Sequence, residues 1–188
     1  MMQTEHLIGI DSAIRARSAL LLDLEKTLRE MAMRTERLLS ELPRSTAVFH
    51  NVNDAMTAYR MLCPYLLFLE EGRQSVNEAV LALATLRERS AARFAALSIQ
   101  AADQNGEQAE GERQALLQFV AQADVLAEAM GRFVRMGLRP YLQALDEASD
   151  GEHDGKSCNV MKIGAHGRAF CDRIAELLSV MEEQKNRK

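Results

Sequence analysis

Apolar residues recur along the first part of the chain with the spacing of a coiled coil. When a heptad is written with Leu7 at position a, nine of the eleven a and d positions from Leu7 to Leu42 hold large apolar residues. A stripe with a period of about 3.5 residues is typical of an amphipathic helix that packs lengthwise against other helices. It predicts a first helix over about residues 4–42, which Pro43 ends because proline cannot continue a helix.

Two polar residues interrupt this stripe. Arg17 occupies a d position and Thr35 occupies an a position. Polar residues at such positions either fix register and partner choice in a bundle or lie near its end, where the side chain reaches water. The sequence is compatible with both interpretations.

Three further amphipathic segments follow, over about residues 54–102, 112–148 and 158–184, and polar, glycine-containing linkers near 101–111 and 149–157 separate them. Strong helix formers dominate the composition, and the chain has only 3 prolines. No segment alternates apolar and polar residues as a strand does. The sequence therefore predicts an all-α single domain over residues 1–188, built as an elongated up-down antiparallel bundle of about four long helices.

The second and third helical regions contain helix-breaking residues. Pro64 interrupts the second region, and Ser75 with Glu78 has the spacing of a capping box, which predicts a kink or break between Pro64 and Ser75. Pro140 predicts a kink or short break in the third region, because proline removes one backbone donor.

Charge and hydropathy exclude several classes of protein. The formal net charge is −4, whereas nucleic-acid binding and attraction to anionic membranes need a basic surface. No apolar run approaches the roughly 20 residues that span a bilayer, and residues 1–18 do not resemble a secretory signal. We expect a cytoplasmic protein that binds no nucleic acid and has no membrane span.

Residues that could carry chemistry are few. The group nearest to a metal site is His153, Cys158, His166 and Cys171, whose side chains suit zinc. His166 and Cys171, however, are five residues apart on a predicted helix and therefore point in different directions. We expect three free thiols in a reducing compartment, no metal and no cofactor. Because no activated nucleophile or acid–base pair is evident, we also expect no enzyme activity.

One basic cluster could bind an anion. Arg132, Arg135 and Arg139 follow one another at i, i+3 and i+7, which places them on one face of an α-helix. Such a face could hold phosphate or carboxylate, and it could equally be a solvated surface with acidic neighbours.

These observations lead to two functional hypotheses. The first is a non-catalytic helical interaction protein, such as a scaffold, adaptor or chaperone-like protein, that pairs with itself, for example as a homodimer, or with another helical protein. Its interface would be the regular stripe of the first helix, formed by Leu7, Ile10, Ile14, Leu21, Leu24 and Leu28. The alternative is a helical-bundle sensor or binding module for a small anionic ligand, held by Arg132, Arg135 and Arg139.

Overall fold

The described part of the chain folds into five α-helices and one π-helical segment. The computed structural model describes residues 9–42, 52–100, 107–150 and 160–186. The helices are α1 (Ile10–Glu41), α2 (Val52–Gln100), α3 (Glu107–Phe133), α4 (Arg139–Asp150) and α5 (Val160–Asn186), and the π-helical segment Val134–Leu138 joins α3 to α4. The described ranges contain no strand, so the prediction of an all-α bundle is confirmed.

The helices pack as four antiparallel rods, with α3, the π-helical segment and α4 together forming the third rod. Helix α1 packs against α2 and α5, and the third rod packs against the same two helices from the other side. The direction of the α1–α5 pair follows from two contacts, Glu25 with Lys185 and Leu39 with Gly167. Thr35 with Tyr65 and Met31 with Gly72 show that α2 also runs antiparallel to α1. The pairs Arg87–Asp124 and Arg93–Glu112 show the same for α2 and α3. The described rods therefore alternate in direction, as an up-down bundle requires.

The apolar stripe of α1 faces the core. Every a and d position from Arg17 to Leu42 is buried, and the apolar ones among them belong to one hydrophobic cluster with residues of the other helices. The stripe is covered by the chain's own helices over this length, because α2 and α5 pack along it.

Helix α2 does not break where the sequence predicts it. It is continuous from Val52 to Gln100, through Pro64. Pro64 and Arg60 are both exposed, so water can satisfy the Arg60 carbonyl that loses its amide partner. The Ser75 hydroxyl donates to the Glu71 carbonyl inside the helix, at 3.2 Å, instead of capping a new one. The prediction of a break between Pro64 and Ser75 is therefore wrong.

The interruption predicted near Pro140 is present as a change of helix type. In the segment Val134–Leu138 the backbone winds as a π-helix, and the Arg139 amide donates to the Val134 carbonyl, five residues back. The wider turn accommodates one extra residue, which rotates all following side chains by about 100° relative to a continuous α-helix. Residues before and after this segment therefore do not share the helix faces that a continuous α-helix over residues 112–148 would give them.

One end of the bundle is less completely covered than the other. Lys185, near the end of α5, pairs with Glu25 of α1, so the first turns of α1 extend beyond the described end of α5. Helices α2 and α3 also continue past this point, where Arg93 pairs with Glu112 at 3.2 Å. In the described part of the chain no helix is long and apolar enough to span a membrane.

Candidate functional site

A groove lies where the described part of α5 ends and α1 and α3 continue; we call it the end groove. It has a volume of about 470 Å³ and lies between α1, α3 and the last turn of α5. Its apolar walls are formed by Ile10, Ile14, Leu21, Ala115 and Phe119, and its main polar groups are those of Arg17, Gln122, Gln184 and Lys185. The volume lies within the range of small-molecule pockets, roughly 300–1,000 Å³.

Arg17 is the central polar residue of the end groove. Only 7% of its surface is exposed. Its Nη1 donates a hydrogen bond to Gln122 Oε1, and its guanidinium carbon lies 4.9 Å from the centroid of the Phe119 ring. Among the described residues no carboxylate forms an ion pair with Arg17, although a guanidinium stays protonated in proteins. Arg17 is thus a buried charge whose partners within the described ranges are an amide and an aromatic face.

Burial also weakens the hydration of this charge. Desolvation lowers the pKa of Arg17 from its ordinary value, which means that the surroundings do not fully replace the water that the guanidinium loses. A group in this state gains when an anion approaches it.

Gln184 supplies a second unsatisfied group in the same groove. Its side chain is 3% exposed, and its Oε1 has no hydrogen-bond donor in the described part of the chain. Since the two ends of a glutamine amide are assigned from their partners, this amide can present either its oxygen or its NH₂ group to an incoming molecule.

The other cation of the groove is already neutralised. Lys185 Nζ pairs with Glu25, and it lies 3.9 Å from Glu182. Hydrogen bonds from Lys185 and Arg29 lower the pKa of Glu25 below its usual value, so Glu25 carries its negative charge at neutral pH. Arg17 is therefore the cation of the groove that lacks a carboxylate partner among the described residues.

The structure divides the predicted partner interface into two parts. Leu21, Leu24 and Leu28 lie in the intramolecular core, so they offer no exposed surface to a partner of the folded bundle. Ile10 is half-buried and Ile14 is 41% exposed at the edge of the end groove. Leu7 lies outside the described residues.

The predicted arginine cluster is not assembled at one site. Arg132 lines a cleft between α3 and α5 beside Arg173 and Glu176, whereas Arg139 lines a different cleft, between α2 and α4. Arg135 is exposed, and its Nη1 lies near Gly131, one turn earlier on its own helix. The π-helical segment causes this separation, because it rotates Arg139 away from the face of Arg132. The structure therefore does not bring Arg132 and Arg139 together in one cleft, as the i, i+3, i+7 spacing predicts.

The residues considered for zinc are only partly described. His153 and Cys158 lie outside the described residues, while His166 and Cys171 are both half-buried on α5. Cys63 and Cys171 are free thiols, and burial raises the pKa of Cys171 to about 11. Within the ranges that the structure describes, no three His, Cys, Asp or Glu side chains are grouped as metal ligands would be.

The spacing of apolar residues in the last helix contains a signal for the burial of Gln184. The stripe of the last helix runs through Ile174, Leu177 and Met181 with alternating steps of three and four. Its next position is Gln184, which the same periodicity places on the buried face. The spacing does not single out Gln122 in the same way. Gln122 and Ala123 follow Phe119 by three and four residues, and either spacing fits the buried face of a helix.

Comparison of the chain with protein-family models, with curated proteins and with solved structures finds no match.

Proposed function

We propose that this protein is a non-catalytic helical-bundle module that binds a small anionic ligand in the end groove, with Arg17 as the group that holds it. The observation that carries the proposal is the burial of Arg17, 7% exposed, beside an open groove and without a carboxylate partner among the described residues. Isolated buried charges are costly, and a counter-ion that enters from solution removes much of that cost.

The surroundings of Arg17 support binding from outside the bundle. Phe119 and Gln122 hold the guanidinium from one side, so its position is set before a ligand arrives. A preorganised donor loses little conformational entropy on binding. The unsatisfied Gln184 amide gives the same ligand a second polar contact.

Thermal unfolding in the presence of anions tests this function. The protein is heated with acetate, citrate or phosphate, and Arg17→Met is compared with Arg15→Met, which removes an exposed arginine of the same helix. A ligand that binds only the native state adds about 2.7 kcal/mol of stability at 100 times its Kd. We expect at least one anion to raise the melting temperature of the wild type and of Arg15→Met but not of Arg17→Met. An equal increase in all three proteins, or none in any, would contradict the proposal.

A second candidate function is favoured by Ile10 and Ile14. These two residues continue the a/d stripe of α1 past the described end of α5, and Ile14 is 41% exposed. A helix of a second copy or of another protein could cover them by coiled-coil-type packing, so the chain would act as a cytoplasmic interaction protein. Leu22 of α1, which is 64% exposed, serves as the control, because its substitution also removes an exposed apolar side chain from the same helix.

Light scattering distinguishes this candidate. If Ile14 lies in a self-interface, the wild type is larger than a monomer and Ile14→Glu dissociates it, whereas Leu22→Glu does not. For a different helical partner, Ile14→Glu alone loses the captured protein in a pull-down. A strictly monomeric chain whose pull-down is insensitive to both substitutions would rule the candidate out.

A further inference from the structure

We infer that the ligand of the end groove is an amphiphilic monocarboxylate, that is, a molecule with one carboxylate head and an apolar body. This inference rests on the proposed function and names its ligand class. It follows from three properties of the groove: the number of free charges, the arrangement of the free donors and the character of the walls.

The charge balance favours a ligand with a single negative charge. Arg17 is the groove cation that has no carboxylate partner among the described residues, since Lys185 already pairs with Glu25. One guanidinium neutralises one carboxylate. A phosphate monoester carries nearly two charges at neutral pH, and its second charge would have no free cation among the described groove residues.

The free donors of Arg17 have the geometry that a carboxylate accepts. Nη1 is engaged by Gln122, whereas Nε and Nη2 have no acceptor among the described residues. These two nitrogens form a fork of parallel N–H donors that matches both oxygens of a carboxylate. The same fork is used elsewhere in this protein, where Nε and Nη2 of Arg93 donate to Glu112 at 3.2 and 3.3 Å.

The walls determine the rest of the ligand. Beside the arginine the groove is lined by Ile10, Ile14 and Leu21 of α1 and by Phe119 of α3. A polar ligand body would lose its hydration against these side chains without replacement, whereas an apolar body is favoured in proportion to the area it buries. Ile14, at 41% exposed, has the most to gain from being covered.

Isothermal titration calorimetry with four probes tests the inference: octanoate, acetate, octyl phosphate and octanol, each below its aggregation concentration. The proteins are the wild type, Arg17→Met, Arg15→Met and Ile14→Ser. In the wild type we expect octanoate to bind more tightly than each of the other three probes. Since a hydrogen-bonded charge pair is worth roughly a factor of ten or more in affinity, Arg17→Met should weaken octanoate at least about tenfold and leave octanol nearly unchanged. Ile14→Ser should weaken octanoate but not acetate, and Arg15→Met should change neither.

The outcomes separate this inference from the function on which it rests. Arg17-dependent binding of acetate or phosphate with no gain from the octyl chain would overturn the inference and leave the anion-binding function standing. Tighter binding of octyl phosphate than of octanoate would do the same. Octanol binding as tight as octanoate binding, insensitive to Arg17→Met, would overturn both. Circular dichroism of each variant verifies that it is folded. Arg17→Lys, which keeps the positive charge but lacks the two parallel N–H donors, should bind octanoate less tightly than the wild type.

Discussion

Arg17 and Thr35 interrupt the same apolar stripe of α1, yet their surroundings differ. Thr35 is completely buried; its hydroxyl donates to the Met31 carbonyl at 2.7 Å and accepts a hydrogen bond from Tyr65. Around it lies an aromatic cluster in which Tyr141 is 6.1 Å from Tyr65 and 5.1 Å from Phe170, measured between ring centroids. Arg17 has one hydrogen bond among the described residues and lies beside an open groove.

This difference shows that the role of a polar residue in an apolar stripe depends on which groups form hydrogen bonds with it. The hydroxyl of Thr35 has its hydrogen-bond partners within the chain, so Thr35 contributes to packing near the end of the bundle opposite the end groove, which we call the closed end. Arg17 makes one hydrogen bond within the described chain and lies at the end of the bundle that contains the end groove, which we call the open end. The following substitutions test the contrast between the closed and the open end.

The largest effect is expected from truncating a core aromatic residue at the closed end. Phe170→Ala removes a fully buried ring that also stacks near Phe133, and it should lower the free energy of unfolding by about 3–5 kcal/mol. Phe119→Ala at the open end should cost less, because water can enter the space from the groove. Urea denaturation measures both, and an equal or larger loss for Phe119→Ala would contradict the contrast.

The next effect concerns the partner of Arg17. Gln122→Leu removes the acceptor and leaves a buried guanidinium without a hydrogen bond, which should destabilise the protein by roughly 1–3 kcal/mol. The double variant Arg17→Met, Gln122→Leu replaces both partners by apolar groups and should be about as stable as the wild type. If the double variant were less stable than Gln122→Leu alone, Arg17 would be stabilising the fold itself and would not be a strained binding group.

The tyrosines make the closed end sensitive to alkaline pH. Burial raises the pKa of Tyr65 from 10.0 to about 12 and also raises the pKa of Tyr141 above its ordinary value. Because both pKa values are raised on folding, their contribution is fully present below pH 10 and is lost as pH rises from 10 towards 12. Tyr141→Phe removes a buried hydroxyl that makes no hydrogen bond of good geometry within the described ranges, so it should change stability little at pH 8 and reduce the alkaline loss. A pH-dependent unfolding series that is identical for the wild type and Tyr141→Phe would show that this burial does not affect stability.

The smallest effect is expected from the ion pair that fastens α5 to α1 near the open end. Glu25→Gln removes the carboxylate shared by Lys185 and Arg29, which should cost less than about 1 kcal/mol because such pairs are partly solvated. Since the pKa of Glu25 is lowered on folding, this contribution is present above its unfolded pKa and is lost as pH falls through the folded pKa. The difference from the wild type should therefore shrink under acid conditions and at high salt. If Glu25→Gln lowered the free energy of unfolding by the same amount at every pH and salt concentration, Glu25 would contribute through packing and not through its charge.

Much of the fold could be predicted from the sequence, because helix periodicity is a local property. The stripe of α1 correctly identified the buried positions from Leu21 to Leu42. The break expected after Pro64 was wrong since a single proline on an exposed face leaves its unpaired carbonyl in contact with water. Gly72, in the same helix, has a packing role: a Cβ there would lie 2.8 Å from Met31 Sδ, so this glycine permits α1 to approach α2.

The candidate site could not be predicted in the same way. The position of Arg17 in the stripe draws attention to it, but its hydrogen-bond partner Gln122 and its groove neighbour Gln184 come from α3 and α5, more than a hundred residues away along the chain. A regular apolar stripe predicts an interface, but in this bundle the other rods of the chain itself cover the positions from Leu21 to Leu42. The prediction of an arginine cluster assumes an uninterrupted α-helix. The π-helical hydrogen bonding before Pro140 changes the helical period between Arg132 and Arg139.

The π-helical segment Val134–Leu138 has a consequence for how this chain would align with distant relatives. A π turn amounts to one residue inserted into an α-helix, and here the inserted residue lies before Pro140. A homologue that lacks one residue in this stretch would have a continuous helix, and its α4 would have to turn by about 100° or repack against α2 and α5. A single-residue gap in an alignment over 134–138 would therefore mark a rearranged third rod, even if every other helix were unchanged in length.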